Sequence, residues 1–173
     1  MKIPTRLVTL LAAILVLVAG LAVAGDEAAP TVEEQMAGLV TMCEETAEAR
    51  AARHEAKPLF ERLGGHDKVH AMVEEVIRLH DENEQIKHTM EGVDRGKLAD
   101  NLTDFISAGT GGGAEYKGRN LHDSHAHLEL TDADFLSAGG DIVKAMNNLE
   151  YGQDEIDEFV CILVSLKDAV VFK

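Results

Sequence analysis

From Pro30 onward the apolar residues of this chain recur at three- and four-residue steps, and no stretch alternates apolar with polar residues as a half-buried strand does. That period admits helices and leaves no sheet, so the expected class is all-α. Pro30-Thr31-Val32-Glu33-Glu34 has the T-x-x-E spacing of a capping box. Val32, Met36, Leu39, Val40 and Cys43 then predict one amphipathic helix running to about His54, and Pro58 closes the segment after it. "LFERLGG" gives a short helical turn ending at Gly64-Gly65. Val69, Met72, Val73, Val76 and Ile77 form the next stripe. A polar connection carrying Ile86 and Met90 leads to a third helix, Arg95 to about Ala108, with Leu98, Leu102, Phe105 and Ile106 on one face. "GTGGG" from Gly109 stops it. A short helix over the histidine-rich segment follows. A further helix opens at Thr131, with Phe135, Ile142, Val143, Met146 and Leu149 as its face. "YGQDE" breaks it, and a last helix carries Ile156, Phe159, Val160, Leu163 and Val170. With no tryptophan and 4% aromatic residues, the core must be built from aliphatic side chains and methionine.

The start, "MKIPTRLVTLLAAILVLVAGLAVAG", reads as a signal peptide over residues 1–24. Lys2 and Arg6 give the basic start, Leu7 to Val18 the apolar run, and Ala22-Val23-Ala24 the small residues of a cleavage site. The rival is an uncleaved anchor, since the run to Val23 is nearly long enough to span a bilayer. The expectation is an exported, periplasmic protein with no stable membrane anchor after cleavage. The formal charge is −15, and losing Lys2 and Arg6 makes it more negative still. Such a surface argues against nucleic acid or anionic lipid as partner, because both are polyanions. Of the two cysteines, Cys43 and Cys161, an oxidising compartment permits a bridge pinning the first helix to the last; two free buried thiols are the alternative.

"GRNLHDSHAHLEL" sets His122, His125 and His127 close together. At 100° per residue on a helix, His125 lies between Leu121 and Leu128 on an apolar face, His122 borders that face, and His127 points away. Three readings compete: surface imidazoles, a zinc or copper site shared by His122 and His125, and a single axial ligand to a haem.

"LFERLGG", "IKH" at Ile86 to His88, the pair Gly111-Gly112, and "YKGR" at Tyr116 to Arg119 followed by "LHDSHAHL" together resemble the group 1 truncated haemoglobins, from Leu59 to about Val170. The resemblance implies a shortened globin of two-over-two helices across residues 58–173, with residues 25–57 an added N-terminal helix outside it. It implies one haem b per chain with His125 as the proximal ligand to iron. Around the haem it implies Ile77, Met90, Leu98, Asn101, Leu102, Phe105, Tyr116, Leu121, Leu128 and Met146, with Lys97 and Arg119 as basic partners for the propionates. The family's distal tyrosine and glutamine are replaced here by Ile77, Leu98 and Leu102, and the aromatic pair after "IKH" by Thr89-Met90. Phe105 keeps the family's aromatic. The expected function is binding of a diatomic gas (O2, NO or CO) in an apolar pocket. Catalysis is not expected beyond weak nitric oxide dioxygenase or peroxidase activity, and the sequence does not identify a redox partner. The competing functions are a haem-free, globin-shaped interaction module and a haem or metal carrier.

Overall fold

The computed structural model describes residues 29–173, so the expected signal peptide lies outside the described residues. Thr31 opens α1 (Val32–Glu45) with the capping box read from sequence: its hydroxyl accepts from the Glu34 N–H at 3.2 Å, and the Glu34 carboxylate accepts from the Thr31 N–H at 2.7 Å. The single long helix expected to His54 is instead two. Thr46 (φ −96°, ψ −1°) interrupts the run, and α2 (Ala47–Ala56) follows with no buried residue. The Thr46 hydroxyl bonds back to the Met42 carbonyl at 2.8 Å, a local competition that suits a helix end.

After α3 (Leu59–Arg62) come α4 (His66–Glu82), a 3-10 turn at Lys87–Met90 and α5 (Arg95–Thr110). Next are α6 (Leu121–His125) with a 3-10 turn at Ala126–Leu128, α7 (Asp132–Asn148), α8 (Gln153–Leu166) and a final 3-10 turn at Lys167–Ala169. There is no strand among the described residues. Helix α4 packs along α5, α7 against α8, and α4 against α7, which joins the two pairs into a two-over-two core. That core is Leu59, Leu63, Val69, Met72, Val73, Ile77, Met90, Ala99, Met146, Ile156 and Phe159, aliphatic and methionine apart from one ring.

Of the expected face of α5, Leu98, Leu102 and Ile106 pack against the core, but only partly buried. The fully buried stripe of α5 is Ala99, Thr103, Ser107 and Thr110, not Leu98, Leu102, Phe105 and Ile106. The small side chains let α4 approach closely. The hydroxyls of Thr103 and Thr110 cost little to bury because each donates to a carbonyl of its own helix, Ala99 at 2.8 Å and Ile106 at 2.5 Å. Leu98, Leu102, Phe105 and Ile106 are left half-buried. The helix runs two residues past Ala108 and ends where Gly111 takes the left-handed conformation (φ +91°). A Cβ at Gly112 would collide with Ser107 Oγ and the Phe60 ring, so glycine here lets α3 close over the end of α5.

The N-terminal layer is fastened rather than deeply packed. Met36 is the buried residue of α1, while Val32 and Val40 of its expected stripe are exposed. Leu149, expected on the inner face of α7, is exposed too. Helix α1 lies against α7 and α8, and a Cys43–Cys161 disulfide joins it to α8. Glu158 of α8, 4% exposed, accepts from Arg62 at 2.5 Å, with Arg53 of α2 at 3.8 Å and His54 at 3.7 Å. A buried carboxylate is tolerable only when paired in this way. Among the described residues no helix is long and apolar enough to cross a membrane.

Candidate functional site

Asn120 caps α6 by accepting from the Asp123 N–H at 2.8 Å, and after five residues the helix tightens into the Ala126–Leu128 turn. Glu129, at φ +50°, then reverses the chain toward Thr131, which caps α7 with a second capping box. Within this short bracket the His125 Nδ1–H donates to the Leu121 carbonyl at 2.8 Å. That bond assigns the tautomer: Nδ1 carries the proton and Nε2 keeps its lone pair. Burial pushes the His125 pKa below the ordinary 6.5; the Leu121 carbonyl opposes this, and His127 adds to it. The ring is therefore a neutral base near pH 7, oriented by one hydrogen bond, with Nε2 unprotonated.

His122 and His127 are exposed. The His122 ring meets Phe172 edge-on at 5.1 Å rather than turning toward His125. Among the described residues no three His, Cys, Asp or Glu side chains converge where a metal ion could be held by them alone.

Ile77, Met90 and Met146 are buried in the main core, and Leu98 and Leu102 pack half-covered against it, so these five expected residues belong to one apolar cluster. Asn101 is half-buried between the two leucines in sequence. Phe105 and Tyr116 pair edge-to-face at 5.1 Å, and the Tyr116 hydroxyl donates to the Arg119 carbonyl at 2.7 Å, which ties the loop before α6 to the end of α5. Leu121 and Leu128 are half-buried on either side of His125. Lys97, on the first turn of α5, and Arg119, just ahead of α6, are exposed. His125 is not part of the core: α6 rests chiefly on the Lys167–Ala169 turn. The residues thus fall into an α6 side bearing the base and an α4–α5 side bearing a half-open apolar wall. What suits an apolar, metal-bearing group is the unprotonated Nε2 on one side and the half-covered leucines on the other; of the surface clefts, one runs between α4 and α5 past His70, Glu74, Ile77 and Asp100, and another lies over Cys43 and Cys161. The small-residue face of α5 escaped the apolar-periodicity reading; its spacing, Ala99-Thr103-Ser107-Thr110, was the available signal.

A family model described as bacterial-like globin matches residues 58–172. The group 1 truncated hemoglobins of Tetrahymena pyriformis and Tetrahymena thermophila are each 29% identical over 77 residues, 44% of this chain. The match spans 64% of the length of those relatives. Among solved structures, the Fe(III) form of the truncated hemoglobin from Tetrahymena pyriformis is similar at a TM-score of 0.63 and 22% identity, over 68% of this chain and 100% of that one. The 2/2 hemoglobin from Synechococcus sp. PCC 7002, in the cyanomet state and with covalently attached heme, has a TM-score of 0.63 and 28% identity, over 66% and 98% of the two chains.

Proposed function

The chain belongs to the bacterial-like globin family, and on that premise we propose that it holds one haem b through His125 and takes a diatomic gas, O2, NO or CO, against an apolar wall. The family implies haem-based gas binding in general; the ligand assignment, the haem type and the pocket character are the finer reading. The observation that carries it is the neutral, oriented His125, tied at Nδ1 to the Leu121 carbonyl, in a chain whose α5 leaves its leucines half-covered. When bound, the haem would supply an iron with a position for the gas.

The remaining chemistry belongs to the chain. The Leu121 carbonyl holds the ring plane and raises the basicity of Nε2 through the shared proton on Nδ1. Ile77, Leu98 and Leu102 donate no hydrogen bond, and Ile77 also lines the α4–α5 cleft beside His70, Glu74, Asp81 and Arg95. Asn101 is the one amide in that set, and Met90, Met146, Phe105, Tyr116, Leu121 and Leu128 complete the apolar enclosure. Lys97 and Arg119 suit the carboxylates of the propionates. No general acid or base stands among Ile77, Leu98 and Leu102, so gas binding is the reading rather than turnover. An exported, periplasmic setting is supported by the leader-like residues 1–24 and agrees with a disulfide, which oxidising compartments preserve.

Hemin titration into the haem-free chain tests the reading. A Soret band saturating at one equivalent, a reduced-plus-CO spectrum of a histidine-ligated haem, and loss of binding in His125→Ala are expected. Free imidazole should rescue His125→Gly. No Soret band, or His125→Ala with the parent's affinity, would overturn the proposal in favour of a haem-free module or a different carrier site.

A further inference from the structure

The segment that carries His125 is two short turns, and the end of the chain brackets it. The Lys167–Ala169 turn packs on α6, and the Lys167 ammonium reaches Asp132 at 2.7 Å. The N–H groups of Phe172 and Lys173 both donate to the Leu130 carbonyl, at 3.0 and 3.3 Å. The Lys173 ammonium also reaches Glu129 at 2.5 Å, the residue whose positive φ turns the chain after the 3-10 turn. On the other side of His125, the Phe172 ring packs edge-to-face on His122 at 5.1 Å. One dipeptide therefore touches the histidine segment three residues before His125 and again four and five residues after it.

We propose that Phe172 and Lys173 are positioning residues for His125, fixing where its Nε2 points. This rests on the haem reading. The clasp acts on both ends of a segment too short to hold its own geometry: an isolated turn of helix fixes several dihedral angles for little hydrogen bonding. Phe172 is 37% exposed, so its contact with His122 is not a by-product of core burial.

The test uses the full chain, a form ending at Val171, Phe172→Ala, and Phe172→Tyr, each loaded with hemin. In the reduced form without gas, the iron–histidine stretching band should shift or broaden in the shortened chain and in Phe172→Ala, and return to the parent's position in Phe172→Tyr. Hemin release to excess apomyoglobin should be about tenfold faster in the shortened chain, the scale expected for losing two hydrogen bonds. In the hemin-free shortened chain, amide exchange should rise across residues 121–131 and not across α4. A shortened chain with the parent's band and release rate overturns the clasp while leaving the haem reading intact. A parent that takes up no hemin overturns the haem reading, and the positioning role falls with it.

Discussion

Breaking the Cys43–Cys161 bond should remove a large share of the chain's stability. The two cysteines are 118 residues apart. Closing a loop of that length in the unfolded chain lowers its entropy by about 16 cal/mol/K, equivalent to about 4.9 kcal/mol at 25 °C. Native contacts offer little to offset the loss: Met36 is the buried side chain of α1, and α2 buries none. The bond also sits beside the surface groove lined by Val40, Arg50, Ile162 and Val164, so a thiol reagent can reach it. Urea unfolding, followed by circular dichroism with and without reductant and in the double variant Cys43→Ser/Cys161→Ser, should give a free-energy difference of about 3–5 kcal/mol. For a chain of this size that corresponds to a fall in melting temperature of about 6–20 °C. Reduction should also expose Arg50 and Arg53 to trypsin before the core unfolds. A difference below about 1 kcal/mol, with α2 still protected, would refute the claim that the bond rather than packing fastens this layer.

Leu102→Gln supplies the donor that the apolar wall lacks. In the reduced hemin-loaded protein it should slow O2 release about ten- to a hundredfold, the equivalent of 1.5–3 kcal/mol for a charge-assisted hydrogen bond, and alter CO release much less. Stopped-flow displacement measures both, and equal effects on the two gases would count against an apolar wall at Leu102. In the haem-free chain, burial lowers the pKa of both His125 and His80 from 6.5; for His80 the neighbouring Asp141 and Asp81 oppose the shift without cancelling it. The folded state then binds fewer protons than the unfolded one, so this contribution is complete above pH 6.5 and is lost as pH falls toward the folded values. Urea midpoints should drop between pH 7.5 and 5, and a His80→Gln/His125→Gln variant with an unchanged pH slope would contradict this assignment.

The sequence was most informative where structure is local. Thr31 and Thr131 announce their helices because a hydroxyl three residues ahead of a carboxylate satisfies its own helix end. Gly111 ends α5 because no other residue type takes φ +91° so easily. His125 was legible as an imidazole between two leucines, and its Nδ1 partner lies four residues back on the same turn. Long-range pairings were not legible. Glu158 looks like any exposed acid of an amphipathic helix until Arg62, 96 residues away, is brought to it. Helix α5 misled for a different reason: hydropathy ranks Leu98 and Leu102 above Ala99 and Thr103, yet close helix crossing favours small side chains whose hydroxyls are satisfied within the helix. The Thr46 break has the same origin, since a hydroxyl that bonds the preceding turn leaves no mark on apolar periodicity.

The separation of the two half-cystines also orders events in time. A chain made from its N-terminus presents the thiol at 43 long before its partner at 161 exists. Until the final helix arrives, that sulfur has no correct mate, and closure of the bond can occur only once the intervening globin is long enough to bring the two ends together. The cross-link is thus a record of synthesis past residue 161: a chain cut short between residues 43 and 161 carries a solitary sulfur, by which it can be told from one that has made both halves.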